Sequence, residues 1–336
     1  MPVKIARLIG GLLLLIALFY FRLIDIDTLG GTLSHPWMLV IAVALAMTAI
    51  PLSGLRWFIL LRSQGLDFRF FDTIRMTTIA AFFGTFLPGG AGGDLVRGAY
   101  VYRVTQGRRT GALLSIFADR VIGLSAFLLG GVLCTLVRPW SGYGAFEYSL
   151  FAAAGAFAAA ITLMLCFGQQ MARWTNLLFR GRWQRLARVV EDAGIAFGLY
   201  AQAWLGLLKA FAVSLVIVAL LVAAIVVIAT TIDIGGLSAP EYGIAGIYAM
   251  IANSLPSTPG GLGVGEGAFA SACFALEPLT TGTAYGTIFL VFRCALILST
   301  LPGMLVYVLS PKLCAEYRFQ FNVKAGTSTT KAVRTI

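Results

Sequence analysis

The chain has 336 residues, 59% hydrophobic and only 12% charged, with a formal net charge of +11. A soluble domain is nearer half apolar and a quarter charged, so this composition describes an all-α polytopic membrane protein whose length is counted in spans. The basic excess is read as cytoplasmic-loop charge, and nucleic-acid binding is set aside because no basic block stands outside the loops.

Lys4 and Arg7 precede an apolar run from Leu8 to Phe21. No small-residue cleavage site follows cleanly, and Arg22 and Asp25 come next. The run therefore predicts a retained first span over 5–21 rather than a signal peptide. A second span covers 36–61, with Pro51 and Gly54 as a kink and Arg56 near its end. The stretch 62–75 alternates charges with Phe68, Phe70 and Phe71 and predicts an interfacial connector.

Ala80 to Arg97 reads AAFFGTFLPGGAGGDLVR. It starts as apolar helix and then meets Pro88, Gly89, Gly90, Gly92 and Gly93. Proline removes a backbone donor and clustered glycines break regular helix. At membrane depth such irregular backbone is tolerated only where protein or a wet cavity covers it. The stretch 74–97 is therefore predicted as a re-entrant, broken hairpin. Spans follow over 110–137, carrying Asp119 and Arg120, and over 148–168, with a loop at 138–147 between them.

Residues 169–192 interleave arginines 173, 180, 182, 185 and 188 with Trp174, Leu177, Trp183 and Leu186. This predicts a basic amphipathic connector, broken at Gly181, whose partner is anionic lipid of the inner leaflet; a plain topology-fixing loop is the alternative. Another span covers 204–232. The broken pattern then returns in Asn253 to Phe269, NSLPSTPGGLGVGEGAF, with Pro259, Gly260, Gly261 and Gly263 in the places of the first turn. It predicts a second hairpin over 244–276. The last span covers 284–309 and carries Arg293, and 311–336 is a polar cytoplasmic tail.

Loops at the N-terminus, 62–75, 97–109, 169–192 and the tail are basic, and the others are poor in Lys and Arg. Placing the basic set inside gives six spanning helices, two re-entrant hairpins and both termini in the cytoplasm. Each half then reads span, span, hairpin, span. The first repeat occupies about 5–137 and the second about 148–309, within one integral membrane domain over 1–310. Pro88 and Pro259 stand 171 residues apart, and Arg120 and Arg293 stand 173 apart. Two halves of opposite sense form the inverted repeat of many secondary transporters, whose sites lie at paired broken segments. The alternative is that each hairpin crosses as an ordinary span.

Asp94, Arg97, Asp119, Arg120, Glu266 and Arg293 are the charges near the two turns or inside spans. A charge at the centre of a span costs at least about 2.5–3.5 kcal/mol on insertion scales, so such groups persist when paired or when facing water. Arginine's planar fork suits a phosphate oxygen pair, and the half-helix after each turn aims its positive end at the same place. Arg97, Arg120 and Arg293 are therefore candidates for holding an anionic lipid headgroup. Asp94, Asp119 and Glu266 are candidates for balancing them, accepting protons or binding an amine, with Asn253 as a further polar group. Internal pairing that only fixes helix register is the bland alternative, as is a role for Asn253 in satisfying freed backbone groups. Five isolated cysteines without a CxxC spacing support neither a zinc site nor a redox motif, and the single His35 argues against histidine-based nucleophilic catalysis and multi-histidine metal sites. No cofactor or metal is expected. The run Gly263 to Ala268 imitates a dinucleotide fingerprint, but no strand is predicted before it.

The stretches FFGTFLPGGAGGDLVR, ADRVIGL and NSLPSTPGGLGVGEGAF resemble the signature segments of the lysylphosphatidylglycerol synthase transmembrane family, a flippase-like membrane family. The resemblance extends over about 5–310. It implies translocation of an anionic or aminoacylated phospholipid, or a related amphiphile, between leaflets of a bacterial cytoplasmic (inner) membrane. Full-length synthases join this part to a transferase domain. Only a short tail follows Leu309 here, so the expectation leans away from an enzyme. Two alternatives are a phosphatidylglycerol lysyltransferase-type enzyme or its membrane subunit, and a partner of a lipid-biosynthesis enzyme in a hopanoid or polyprenyl-glycolipid pathway.

Overall fold

A computed structural model describes residues 35–86, 92–105, 109–138, 144–178, 198–232, 236–254, 262–277 and 285–309. Helices make up nearly all of these residues, and no strand occurs among them. The longer helices are α1 (Pro36–Ser63), α2 (Phe70–Phe86), α3 (Gly92–Val104), α4 (Arg109–Val137), α5 (Ala145–Leu178), α6 (Trp204–Ile232), α7 (Ala239–Ser254), α8 (Val264–Leu276), α9 (Tyr285–Thr300) and α10 (Pro302–Leu309).

Five segments are long and apolar enough to cross a membrane: α1, α4, Ala145–Met164 of α5, α6, and α9 with α10. They coincide with five of the six predicted spans. The sixth, over 5–21, lies outside the described residues, as does the tail. The predicted kink in the second span is not a break, because α1 runs through both Pro51 and Gly54. Gly54 instead lets α2 approach: a Cβ there would lie 2.9 Å from the Cα of Ile74. Pro302 does interrupt the last span, which turns at Leu301 between α9 and α10.

Between the spans sit two pairs of short helices. α2 packs on α3, and α7 packs on α8. Their lengths of 13 to 17 residues correspond to about 20–25 Å, short of the ~30 Å hydrocarbon thickness. Helix α2 begins at Phe70, so the predicted interfacial connector is shorter than expected. Phe68 is buried beside Trp57 and Leu61 rather than lying at a surface.

α1 and α6 tie the two pairs together. Met38 and Ala42, early in α1, join a core with Ala245, Phe269, Phe289 and Phe292, drawn from α7, α8 and α9. Trp57 and Leu61, late in α1, join a separate core with Met76, Tyr100, Val101 and Ile116, drawn from α2, α3 and α4. Ala224 to Ala229, in the second half of α6, sit in the first of these cores. Of the short helices, α2 packs directly on α1 and α7 on α6, while α9 lies between α1 and α8. Hydroxyl groups along the spans are satisfied within their own helices: Thr48, Thr135 and Ser214 each donate to a carbonyl four residues earlier.

α5 continues to Leu178, into the first part of the predicted basic connector. The remainder of 169–192 lies outside the described residues. Cys273 is buried in the core as a small apolar group, whereas Cys166 and Cys294 are exposed.

Candidate functional site

Both glycine-rich stretches open a helix, and each helix carries an acid at its third residue. α3 starts at Gly92 and places Asp94 there, and α8 starts at Val264 and places Glu266 there. Pro88, Gly89, Gly90, Pro259, Gly260 and Gly261 lie outside the described residues. Gly263 is the residue before α8, and its φ of 80° is a conformation that disfavours any side chain. Its N–H donates to Glu266 Oε2 at 2.8 Å, satisfying one of the backbone donors that a helix start leaves free. The same local rule sets α5 and α7, where Glu147 and Glu241 accept from the N–H of Gly144 and Ser238.

Close approach of a neighbouring helix explains Gly93 and Gly265. A Cβ on Gly93 would lie 2.7 Å from the carbonyl oxygen of Ala80, so only glycine lets α3 fold back on α2 here. A Cβ on Gly265 would lie 2.3 Å from Phe289 Cε1 and 2.9 Å from Arg293 Nη2. That glycine brings α8 and α9 close enough for their charges to meet.

The six charged residues singled out in the sequence form three groups. Arg120 Nε donates to Asp94 Oδ2 at 2.5 Å. Arg293 donates from Nε to Glu266 Oε1 at 2.5 Å and from Nη2 to Oε2 at 3.1 Å. Arg293 Nη2 also reaches Asn253 Oδ1 at 3.5 Å, which brings α7 into the same group. The two pairs are sequence counterparts, with partners separated by 26 and 27 residues. Their surroundings differ. The Glu266 side chain is fully buried, whereas Arg120 is 46% exposed and Asp94 21% exposed.

The third group has no counterpart in the second half among the described residues. Asp119 accepts Arg56 Nε at 2.6 Å and Arg56 Nη2 at 2.9 Å, in a two-pronged pair. It also accepts Arg97 Nη1 at 3.0 Å. Arg56 Nη1 donates on to Ser214 Oγ of α6 at 3.2 Å. The guanidinium of Arg97 lies 5.1 Å from the centre of the Trp57 ring, a cation–π contact, and Trp57 Nε1 donates to Ser115 Oγ at 3.1 Å. Helices α1, α3 and α4 meet at this one carboxylate, and α6 joins them through Arg56. Asp119 sits about 15 Å along α4 from Arg109, well inside the span.

Arg56 was not among the residues singled out, because its place in the sequence reads as the basic end of a span. The structure puts it seven residues short of the end of α1, facing Asp119. A charge that far inside an apolar run was the available signal. A second missed pair, Arg138 with Glu147, is buried at the turn from α4 to α5.

The model of the family described as the lysylphosphatidylglycerol synthase TM region matches residues 5–303. The chain belongs to this family. The match covers both glycine-rich turns, all three charge groups and every helix up to the start of α10. Membership, together with five apolar helices of spanning length, makes this a multi-pass membrane protein in a membrane lipid-related context. Searches of curated proteins and of solved structures find no match.

Proposed function

We propose that the protein moves a phospholipid, or a related amphiphile with an anionic or zwitterionic head, between membrane leaflets. The observation that carries this reading is the repeated pairing of Asp94 with Arg120 and Glu266 with Arg293, with each acid in the first turn of a helix that follows a proline–glycine stretch of the sequence. Transporter sites are built where broken helices from two halves meet, with helix N-termini and charged side chains facing a cavity. Placement of the two short-helix pairs in separate cores, one joined by the start of α1 and the other by its end, supports a re-entrant, inverted layout. So does their length, which is short for a crossing.

Arg97, Arg120, Arg293, Asp94, Asp119, Glu266 and Asn253 form the polar surface that a headgroup meets on this reading. The partial exposure of Arg120 and Asp94 inside an apolar domain supports a wet path beside α3 and α4. Acyl chains stay in lipid while the head follows that path. A basic 169–192 region on the inner leaflet and a cytoplasmic location of both termini belong to the same proposal.

The test is reconstitution in liposomes with labelled phosphatidylglycerol, lysyl-phosphatidylglycerol or phosphatidylethanolamine. Leaflet exchange above that of protein-free vesicles is expected for at least one of them. Exchange at the protein-free rate for all three would overturn the proposal.

A further inference from the structure

Five buried or half-buried ion-pair groups occur among the described residues, and four are balanced one to one: Asp94 with Arg120, Glu266 with Arg293, Glu147 with Arg138, and Asp72 with Arg75. The fifth is not. Asp119 faces both Arg56 and Arg97, which leaves one positive charge in excess. All three of these side chains are nearly inaccessible, at 12% for Arg56, 9% for Arg97 and 4% for Asp119. An excess charge held out of water is costly unless a further partner arrives.

The hydrogen bonds show which arginine has room for that partner. A guanidinium binds two oxygens best along the edge made by Nε and Nη2. Arg56 has this edge filled by Asp119, and Arg293 has it filled by Glu266. Arg97 reaches Asp119 through Nη1 alone. Its Nε is buried without a hydrogen-bond partner, and no bond from Nη2 exists among the described residues. One face of the same group rests on Trp57, which fixes its plane.

We propose that the Nε–Nη2 edge of Arg97 receives a pair of phosphate oxygens, with Arg56 supplying the second positive charge and Asp119 holding both arginines in place. This deepens the translocation reading by naming the anion contact within its polar surface. The anion brings the negative charge that the group lacks and fills the vacant edge. Nε is occluded in this structure, so binding goes with a shift of α3 away from its neighbours. A phosphate oxygen pair is common to a lipid headgroup and to free phosphate, and the experiment separates the two.

The full-length protein in a neutral detergent is titrated with dihexanoyl phosphatidylglycerol, with inorganic phosphate and with dihexanoylglycerol, following tryptophan emission. A saturable change is expected with the phospholipid, and it is expected to vanish in Trp57→Phe, since Trp57 is the ring against Arg97. Dihexanoylglycerol leaves the emission unchanged. Arg97→Gln, and Arg97→Lys, which keeps the charge but loses the fork, weaken phospholipid binding about tenfold or more. Arg62→Gln, which alters an exposed arginine paired with Asp67, leaves it unchanged. Competition by inorganic phosphate means that the site reads the phosphate alone. Lack of competition means that it reads the lipid headgroup. No emission change in the wild type, or equal affinity in Arg97→Lys, would overturn the assignment. The wild-type and Trp57→Phe titrations decide the matter even if the arginine variants fail to fold. The readout is binding, so a failure of leaflet exchange in liposomes is a separate result.

Discussion

Arg293 grips Glu266 with two parallel hydrogen bonds, Nε to Oε1 and Nη2 to Oε2, between α8 and α9, where the Glu266 side chain is fully buried. Removing one partner of such a pair leaves an uncompensated buried charge, at a cost of about 3–5 kcal/mol. Replacing both by apolar groups of similar size avoids that cost. Glu266→Leu and Arg293→Met are each expected to lower unfolding stability in detergent by that amount. The double variant is expected to recover most of it. A double variant as unstable as the two singles combined would show that the residues act independently.

Asp119 and Asp94 are both carboxylates facing arginine, yet their removal is expected to differ sharply. Asp119→Asn leaves Arg56 and Arg97 buried side by side with no counter-charge, and a loss of at least about 3 kcal/mol is expected. Asp94→Asn breaks a half-exposed pair with Arg120, where solvent screening holds the effect to about 0–1 kcal/mol. Thermal unfolding of the two variants in the same detergent checks the order. Equal losses would mean that burial does not set the cost here.

Gly93 and Gly155 offer a matched test of close packing. A methyl group on Gly93 would meet the Ala80 carbonyl oxygen at 2.7 Å, an atom that cannot turn aside. Gly93→Ala is therefore expected to part α2 from α3 and to destabilise by about 1–3 kcal/mol. A methyl group on Gly155 meets nothing within 4 Å. Gly155→Ala is expected to be neutral, or stabilising by up to about 1 kcal/mol through helix propensity. Circular-dichroism melts of both variants provide the comparison.

Hydropathy located the five described spans because each is a long apolar run with few charges. That a helix begins after each glycine-rich stretch was also legible, since clustered glycine beside proline has few other uses inside an apolar run. The pairing of charges was not. Asp119 and Arg120 are adjacent in sequence, but neighbouring residues on a helix point about 100° apart. One therefore turns inward to Arg56 and Arg97, and the other outward to Asp94. Arg56 escaped notice for a related reason. Its partner lies 63 residues away, and only the meeting of α1 with α4 brings the two together. Gly265 shows the same limit, because its need for a bare Cα comes from Phe289 and Arg293 on another helix.

The proposed re-entrant layout predicts a sidedness that stability measurements do not reach. If α2 and α3 form a hairpin that returns to its own side, the residues flanking it face the same compartment. Arg69, just before α2, and Arg103, near the end of α3, are both exposed. Ala239, at the start of α7, and Ala275, near the end of α8, are exposed likewise. Single cysteines at these four positions, in a background without the native cysteines, are labelled in sealed vesicles by a membrane-impermeant maleimide. Cysteines at 69 and 103 are expected to react from the cytoplasmic side, where basic residues concentrate. Cysteines at 239 and 275 are expected to react from the opposite side. Should 69 and 103 label from different sides, α2 and α3 together cross the membrane, and the two halves cannot be related as an inverted pair.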